Sequence, residues 1–220
     1  MNLAIAASIV ALSLIALVLA VLVLSRFRRE RQLWNLYWGV GIFLVFFTLA
    51  EEASLYVGLW SQLLIRSYFV LVALLVGVLS LGSAELALKG RRKYLWFGFV
   101  GVASAACVVL GALTPVPSSI MFGGVVWGVP SMDLVASSLV TIPSSLLLIL
   151  TSLYGAIHQK RPRLLFITLG AAVIALSGSL YIVSFPATLY YAEFIGVVLL
   201  FFGFVNVGGR PGSHPSPAST

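Results

Sequence analysis

Residues 60–93, WSQLLIRSYFVLVALLVGVLSLGSAELALKGRRK, decide the fold of this chain. The stretch contains an apolar segment long enough to cross a bilayer as a helix, for which about 20 residues suffice. The apolar segment is followed by the basic run KGRRK at 89–93. Arg66 lies inside the segment and is the only basic residue within any apolar span of the chain. The stretch therefore predicts a membrane-spanning helix with one embedded charge and a basic connection at its end.

The composition of the whole chain agrees with this prediction. Of 220 residues, 61% are hydrophobic and 9% are charged, and the mean hydropathy is +1.12, whereas soluble proteins carry about 25% charged residues. The net charge is +7. Twelve of the 13 Lys and Arg lie in or beside short connections, at 26–31, 89–93, 160–163 and 210. This distribution follows the positive-inside rule and argues against a nucleic-acid partner.

The residues that could form disulfides, bind metals or catalyse reactions exclude several classes of function. The single cysteine, Cys107, permits no intramolecular disulfide. His158 and His214 do not have the spacing of metal or haem ligands. The chain has neither a GxSxG motif nor a glycine-rich phosphate loop. We therefore expect no enzyme activity, no metal and no cofactor.

Apolar runs between the polar connections predict an all-α membrane protein with seven transmembrane helices. The first run precedes its basic cluster, whereas a signal peptide would follow one, so we expect an uncleaved span. The predicted spans are 3–24, 33–57, 59–88, 95–113, 134–157, 164–185 and 188–207.

The Lys and Arg bias predicts how these spans are oriented in a multi-pass cell-membrane protein. All the basic connections fall on one side, so the N-terminus is expected outside and the C-terminus in the cytoplasm. The membrane domain is expected to cover 1–208. Residues 209–220 have the composition of a disordered cytoplasmic tail.

A weak internal repeat relates the two halves of the chain. AASIVALS near the start aligns with ASSLVTIP in the fifth span, and SLY recurs in the next span of each half. The shared order predicts a parallel 3+1+3 arrangement, with repeat 1 at 3–88, a linker helix at 95–113 and repeat 2 at 134–207. Parallel repeats about an axis along the membrane normal are a known transporter plan.

One long connection, 114–132, carries no charge and is rich in Pro and Gly. Its IMFGGVVWGV segment predicts either a short hairpin about Gly123 and Gly124 or an interfacial segment. It has two functional interpretations, a hydrophobic outer loop and a lid over an outer cavity.

Ionisable residues in the outer half of the predicted bundle define a candidate site. Arg66 shares a helical stripe with small residues, which mark helix-facing surfaces in membranes, and Glu193 lies at a similar depth in the seventh span. A charge at the centre of a bilayer costs about 2.5–3.5 kcal/mol on the insertion scale, so each requires a reason. Three interpretations are open: a buried Arg66–Glu193 pair, a ligand, ion or proton site, or groups that reach the outer interface. The candidates are Arg66, Glu193, Glu51, Glu52 and Tyr68, and the small residues of the stripe are Ala73, Gly77, Ser80 and Ala84.

Further polar and aromatic residues have structural interpretations. Ser137, Thr141 and Ser144, continued by Ser152, fall on one face of the fifth span and suit interhelical hydrogen bonds or a polar path. Glu85 is expected to pair with Lys89 one turn later. The aromatic residues Trp34, Tyr37 and Trp38 predict an interfacial belt beside the first basic loop.

Residues 31–92 carry the chain's clearest resemblance to known proteins. The order is a basic loop, an aromatic-rich span, an acidic pair, Trp60, Arg66, a long apolar span and a second basic loop. This order resembles the seven-span sensor modules found ahead of some histidine kinases. Such a resemblance implies signalling through a partner protein.

The 3+1+3 layout is also similar in architecture to microbial rhodopsins and to the sugar-transporting SWEET family. No apolar span contains a lysine, so a retinal Schiff base is excluded, and spans one to three lack the prolines of SWEET repeats.

These features predict a non-enzymatic sensory or transducing module with a polar site in its outer half. The alternatives are a small-solute or proton-coupled transporter and an accessory subunit of a larger membrane complex. The expected partners are the lipid bilayer and a cytoplasmic or membrane protein contacted through the basic loops.

Overall fold

The computed structural model describes residues 3–59, 61–115, 121–122, 125–126, 131–158, 160, 164–182 and 186–207. These residues form seven helices and one two-stranded hairpin. The helices are α1 (Leu3–Glu30), α2 (Leu33–Tyr56), α3 (Gln62–Ala87), α4 (Arg91–Leu113), α5 (Ser131–His158), α6 (Leu164–Ile182) and α7 (Pro186–Val207).

Each predicted span corresponds to one of these helices. The largest difference is at the end of α1, which continues six residues beyond the predicted boundary at 24, to Glu30. No Gly or Pro interrupts the sequence there, and arginines in the last turn suit the negative end of the helix dipole.

Five helices contain segments long and apolar enough to cross a membrane. They are Ala7–Glu30, Leu33–Leu55, Gln62–Ala87, Arg91–Leu113 and Val135–His158. In α6 and α7 the apolar segments within the described residues are shorter, Leu164–Ile174 and Phe194–Phe204.

The helices are apolar on their exposed faces as well as on their buried faces. On α1, Val10, Leu14 and Val18 are more than half exposed, while Ile9 and Leu12 on the opposite face are buried. A helix that is apolar on all sides belongs in a large core or in lipid. The chain is a helical bundle compatible with an integral membrane protein.

Six helices pack in a closed ring. Going round it, α1 packs on α2, α2 on α3, α3 on α5, α5 on α6, α6 on α7, and α7 on α1. Helix α4 lies outside the ring against α3 and α5. Its buried residues form a single stripe, Val100, Ala103, Cys107 and Gly111.

All six ring helices contribute to one central core. It contains Leu19 of α1, Trp38 of α2 and Leu79 of α3, together with Leu148 of α5, Ile167 of α6 and Phe204 of α7. The indole of Trp38 meets the ring of Phe204 edge to face, with centroids 4.7 Å apart.

Short connections and these contacts fix the two ends of the bundle. The α1–α2 and α3–α4 connections lie at the same end of the bundle. We call this end the basic end. The opposite end, where α2 ends and α3 begins, is the far end.

The long connection 114–132 contains a hairpin, which was one of the two structures predicted for it. Strands β1 (Met121–Phe122) and β2 (Val125–Val126) pair antiparallel, with Met121 opposite Val126 and Phe122 opposite Val125. The two residues between them, at 123 and 124, lie outside the described part of the chain.

Candidate functional site

Glu51 and Ser67 join α2 to α3 at the far end. The half-buried carboxyl group of Glu51 interacts with the Ser67 hydroxyl across the two helices. That hydroxyl donates within its own helix, where it lies 2.9 Å from the carbonyl oxygen of Leu63 and 3.0 Å from that of Leu64.

The second carboxyl oxygen of Glu51, Oε2, is buried and has no hydrogen-bond partner within the described residues. Buried polar atoms are usually satisfied, because an unsatisfied one costs about 1–3 kcal/mol. A proton, a cation or a donor group of a small ligand would each satisfy this oxygen. Glu51 is therefore the group in this region best suited to bind a proton, a cation or a small ligand.

Arg66, next to Ser67 in sequence, reaches a different helix. Its Nη1 donates a hydrogen bond to the carbonyl oxygen of Ala112, 3.2 Å away on α4. Ala112 belongs to the last turn of α4, where carbonyl groups have no partner inside the helix. Arg66 therefore caps α4 and places a positive charge at the negative end of its dipole. Its Nε atom is buried and has no partner among the described residues.

Three further residues were predicted to belong to this site. Glu52 is buried, with 7% of its surface exposed. Tyr68 is half-buried and its ring packs edge to face on Phe69, with centroids 5.6 Å apart. The side chain of Glu193 lies outside the described residues, so its pairing with Arg66 stays a prediction. Helices α3 and α7, which carry the two residues, are not neighbours in the ring.

The small-residue stripe of α3 faces other helices, as predicted. Ala73, Ser80 and Ala84 are fully buried. A side chain added at Gly77 would lie 3.2 Å from Val100 of α4 and from Val140 of α5. The stripe therefore faces α4 and α5, on the outer side of the ring, and Arg66 lies at the far end of that face.

The polar stripe of α5 divides into two parts. Ser152 lies 2.9 Å from the Thr168 hydroxyl of α6, which confirms interhelical hydrogen bonding for this residue. Ser144 is completely buried, and its hydroxyl has no hydrogen-bond partner within the described residues. Ser137 and Thr141 are half-buried. Helix α5 continues through Pro143, which has no N–H to donate.

Two structural predictions for the basic end are wrong. Glu85 pairs with Lys93 of α4 at 3.1 Å, rather than with Lys89 in the connection. The turn at 88–90 brings the start of α4 back toward the end of α3, so the partner comes from the next helix. Trp38 is buried in the centre of the ring and is not part of an interfacial belt. Gly82 of α3 leaves the space its indole fills.

Arg26 forms a contact that the sequence did not predict. Its Nη1 donates a hydrogen bond to the carbonyl oxygen of Phe204 in the last turn of α7, at 2.8 Å. Arg26 thus caps α7 as Arg66 caps α4, and it connects α1 to α7 where the ring closes. The only signal in the sequence is the position of this arginine as the first residue of the basic cluster at 26–31, and its acceptor is 178 residues away.

Within the residues the structure describes, no group of three or more His, Cys, Asp or Glu side chains is placed to hold a metal ion. Comparison of the chain with models of protein families, with curated proteins and with solved structures finds no match. The class defined by the fold is a multi-helix apolar bundle with spans of membrane length.

Proposed function

We propose that this chain is a non-enzymatic membrane sensor that binds a proton, a cation or a small ligand at Glu51. The bound state would be passed to a protein partner at the basic end. In this proposal seven helices cross the membrane in a parallel 3+1+3 arrangement, with the N-terminus outside, so the site is in the outer half. The sequence resemblance to sensor modules of histidine kinases supports the same assignment.

The observation that carries the proposal is the buried Oε2 atom of Glu51, which has no hydrogen-bond partner within the described residues. Glu51 of α2 also interacts with the Ser67 hydroxyl of α3. A proton, cation or ligand bound at Glu51 would therefore lie between two helices and change the contact between them. A site whose occupancy alters a contact between helices is suited to sensing.

The central core supports transmission from this site. Helices α2 and α3 both enter the core, through Trp38 and Leu79, and all other ring helices pack around them. Well-packed interiors respond to displacement by shifting between discrete arrangements rather than by deforming gradually. A change in the α2–α3 contact at the far end can therefore reach the connections at the basic end.

The test uses the thermal stability of the full chain purified in detergent. Wild type is scanned across pH values from about 5 to 8 and against a panel of inorganic cations, amino acids and sugars. A ligand that binds the folded state raises its Tm. We expect at least one condition to raise the Tm by about 3 °C or more.

Two serines provide the matched comparison. Ser67→Ala removes the hydroxyl that interacts with Glu51, whereas Ser13→Ala removes a hydroxyl with the same kind of bond to its own helix, to Ile9 at 2.9 Å. The Tm response should be lost in Ser67→Ala and in Glu51→Gln, and kept in Ser13→Ala. Equal responses in both serine variants would contradict a site at Glu51.

A small-solute or proton-coupled transporter is the second candidate, and the order of the ring supports it. In the ring α3 packs on α5 and α7 packs on α1, and α4 lies outside it. The proposed parallel repeats of three helices would produce this order. In transporters built from such repeats the substrate site lies at the interface between the repeats. Uptake of the identified ligand into liposomes that contain the protein would favour a transporter, and binding without uptake would favour a sensor.

A further inference from the structure

The α3–α4 connection forms an open cleft at the basic end. The cleft has a volume of about 470 Å³ and is lined by Ala87, Leu88, Lys89, Arg91 and Arg92. This volume falls within the range of about 300–1,000 Å³ that is typical of small-molecule sites. Three of its five lining residues are cations.

These three cations have no anionic partner in the described part of the chain. The nearby carboxylate, Glu85, is paired with Lys93. Lys89, Arg91 and Arg92 remain exposed, and no ion pair or hydrogen bond is formed by their side chains within the described residues. The cleft therefore carries a local charge of +3 that the protein itself does not neutralise.

The position of two of these cations is unfavourable for the helix that they begin. Arg91 and Arg92 lie in the first turn of α4, which contains no acidic residue. The N-terminal end of a helix carries a partial positive charge, so cations there are unfavourable where an anion would be stabilising. An anion bound in the cleft would offset both the helix dipole and the mutual repulsion of the three side chains.

The surface next to the cleft indicates where the anion comes from. Tyr94 and Leu95 follow the basic run directly and are 70% and 62% exposed, and Leu86 on α3 is 51% exposed. These are the first residues of the apolar surface of both helices. Tyrosine is enriched at the level of lipid headgroups. An exposed tyrosine and exposed leucines directly beside a basic cleft are the arrangement expected where a helix meets lipid headgroups.

We propose that this cleft binds the phosphate of an anionic phospholipid headgroup. Lys89, Arg91 and Arg92 contact the phosphate oxygens, and the acyl chains lie along the exposed residues of α3 and α4. Basic pockets between membrane helices bind such headgroups in other proteins. The proposal does not depend on whether the bundle is a sensor or a transporter.

The test is native mass spectrometry of the full chain in detergent, titrated with phosphatidylglycerol and with phosphatidylcholine of the same acyl chains. Detergent exposes both ends of the protein, so the result does not depend on its orientation. Wild type should bind phosphatidylglycerol preferentially. Equal binding of the two lipids would overturn the proposal.

Two charge-matched variants distinguish the cleft from general attraction to a basic surface. Arg91→Gln/Arg92→Gln removes two cations from the cleft, and Arg28→Gln/Arg29→Gln removes two exposed cations from the end of α1. We expect the first variant to lose about tenfold or more in affinity for phosphatidylglycerol, and the second less than about twofold. Equal losses would show that no cleft-specific site exists.

Two further measurements keep the test decisive. If the double variant at the cleft does not fold, Lys89→Gln should still lose about threefold in affinity, and a normal affinity would count against the site. Inorganic phosphate is added as a competitor at millimolar concentration. Complete displacement of the lipid would identify a soluble anion as the occupant and overturn the lipid assignment.

Discussion

The guanidinium group of Arg66 donates a hydrogen bond to the carbonyl oxygen of Ala112, 3.2 Å away, and so ties the start of α3 to the end of α4. Helix α4 lies outside the ring, and its buried residues are the small and apolar Val100, Ala103, Cys107 and Gly111. Its other polar links to α3 include the Lys93–Glu85 ion pair and the hydrogen bond from Trp96 to Ser80. The charge in the membrane that looked most like part of a ligand site thus has a structural partner on the backbone.

Removal of this cap should destabilise the protein. Hydrogen bonds from charged donors contribute about 1.5–3 kcal/mol, so Arg66→Met should lower the free energy of unfolding by about that amount. Thr114→Val is the control, because it removes a neutral bond to the carbonyl of Leu110 in the same last turn, at 2.8 Å. It should cost about 0.5–1.5 kcal/mol. Thermal unfolding in detergent measures both variants, and an unchanged Arg66→Met protein would show that the cap is not formed.

A double-mutant cycle tests the predicted pair of Arg66 with Glu193. The cap on α4 gives Arg66 a partner already, and α3 does not pack on α7. If the predicted pair forms in addition to the cap, the stability losses of Arg66→Met and Glu193→Gln should couple by more than about 1 kcal/mol. Losses that add within about 0.5 kcal/mol would contradict the pair and leave the carbonyl group of Ala112 as the partner of Arg66.

Gly82 should not tolerate a side chain. A Cβ atom at this position would lie 2.6 Å from the indole nitrogen of Trp38, which is fixed in the central core. Overpacking of a core costs about 1–3 kcal/mol, so Gly82→Ala should lower the Tm and alter tryptophan fluorescence. Gly101→Ala on the exposed face of α4, with nothing within 4 Å of the added atom, is the control. It should be neutral or stabilising by up to about 1 kcal/mol, since alanine favours a helix. A normal Tm for Gly82→Ala would contradict the central position of Trp38.

The bond between Ser152 and Thr168 should connect α5 and α6 energetically. In membrane proteins such interhelical hydrogen bonds contribute about 0.6 kcal/mol on average and up to about 1.7 kcal/mol. The cycle of Ser152→Ala and Thr168→Val should show coupling in this range. Ser145→Ala, which removes a hydroxyl bonded only to its own helix, should be additive with Thr168→Val. Zero coupling for the first pair would mean that the two hydroxyls do not bond.

The proposed topology has a direct chemical test. Cysteines placed at Ser118 and Ser213 are expected to lie on opposite sides of the membrane, outside and cytoplasmic respectively. The native Cys107 is buried within α4 and should react slowly with membrane-impermeant reagents. Labelling of both introduced cysteines from the same side would rule out seven spans.

The sequence by itself determined where the helices lie, although their ends differ from the predicted boundaries by up to six residues. Apolar runs of membrane length separated by polar and basic connections specify helices, because a backbone in lipid must satisfy its hydrogen bonds within its own segment. That rule is local, and so the seven predicted spans match seven helices. The sequence offered the hairpin of β1 and β2 as one of two alternatives for the long connection.

Only the tertiary structure decided which helix each face meets. Small residues showed that one side of α3 packs against helices, but nothing in the sequence specified that these are α4 and α5 rather than the centre of the ring. The acceptors for Arg66 and Arg26 are backbone carbonyl groups, which every residue possesses and which leave no pattern in a sequence. Likewise, Trp38 is buried because Gly82, 44 positions later, leaves it room. Such contacts arise from the arrangement of whole helices, which depends on the sum of many similar apolar interactions rather than on any one residue.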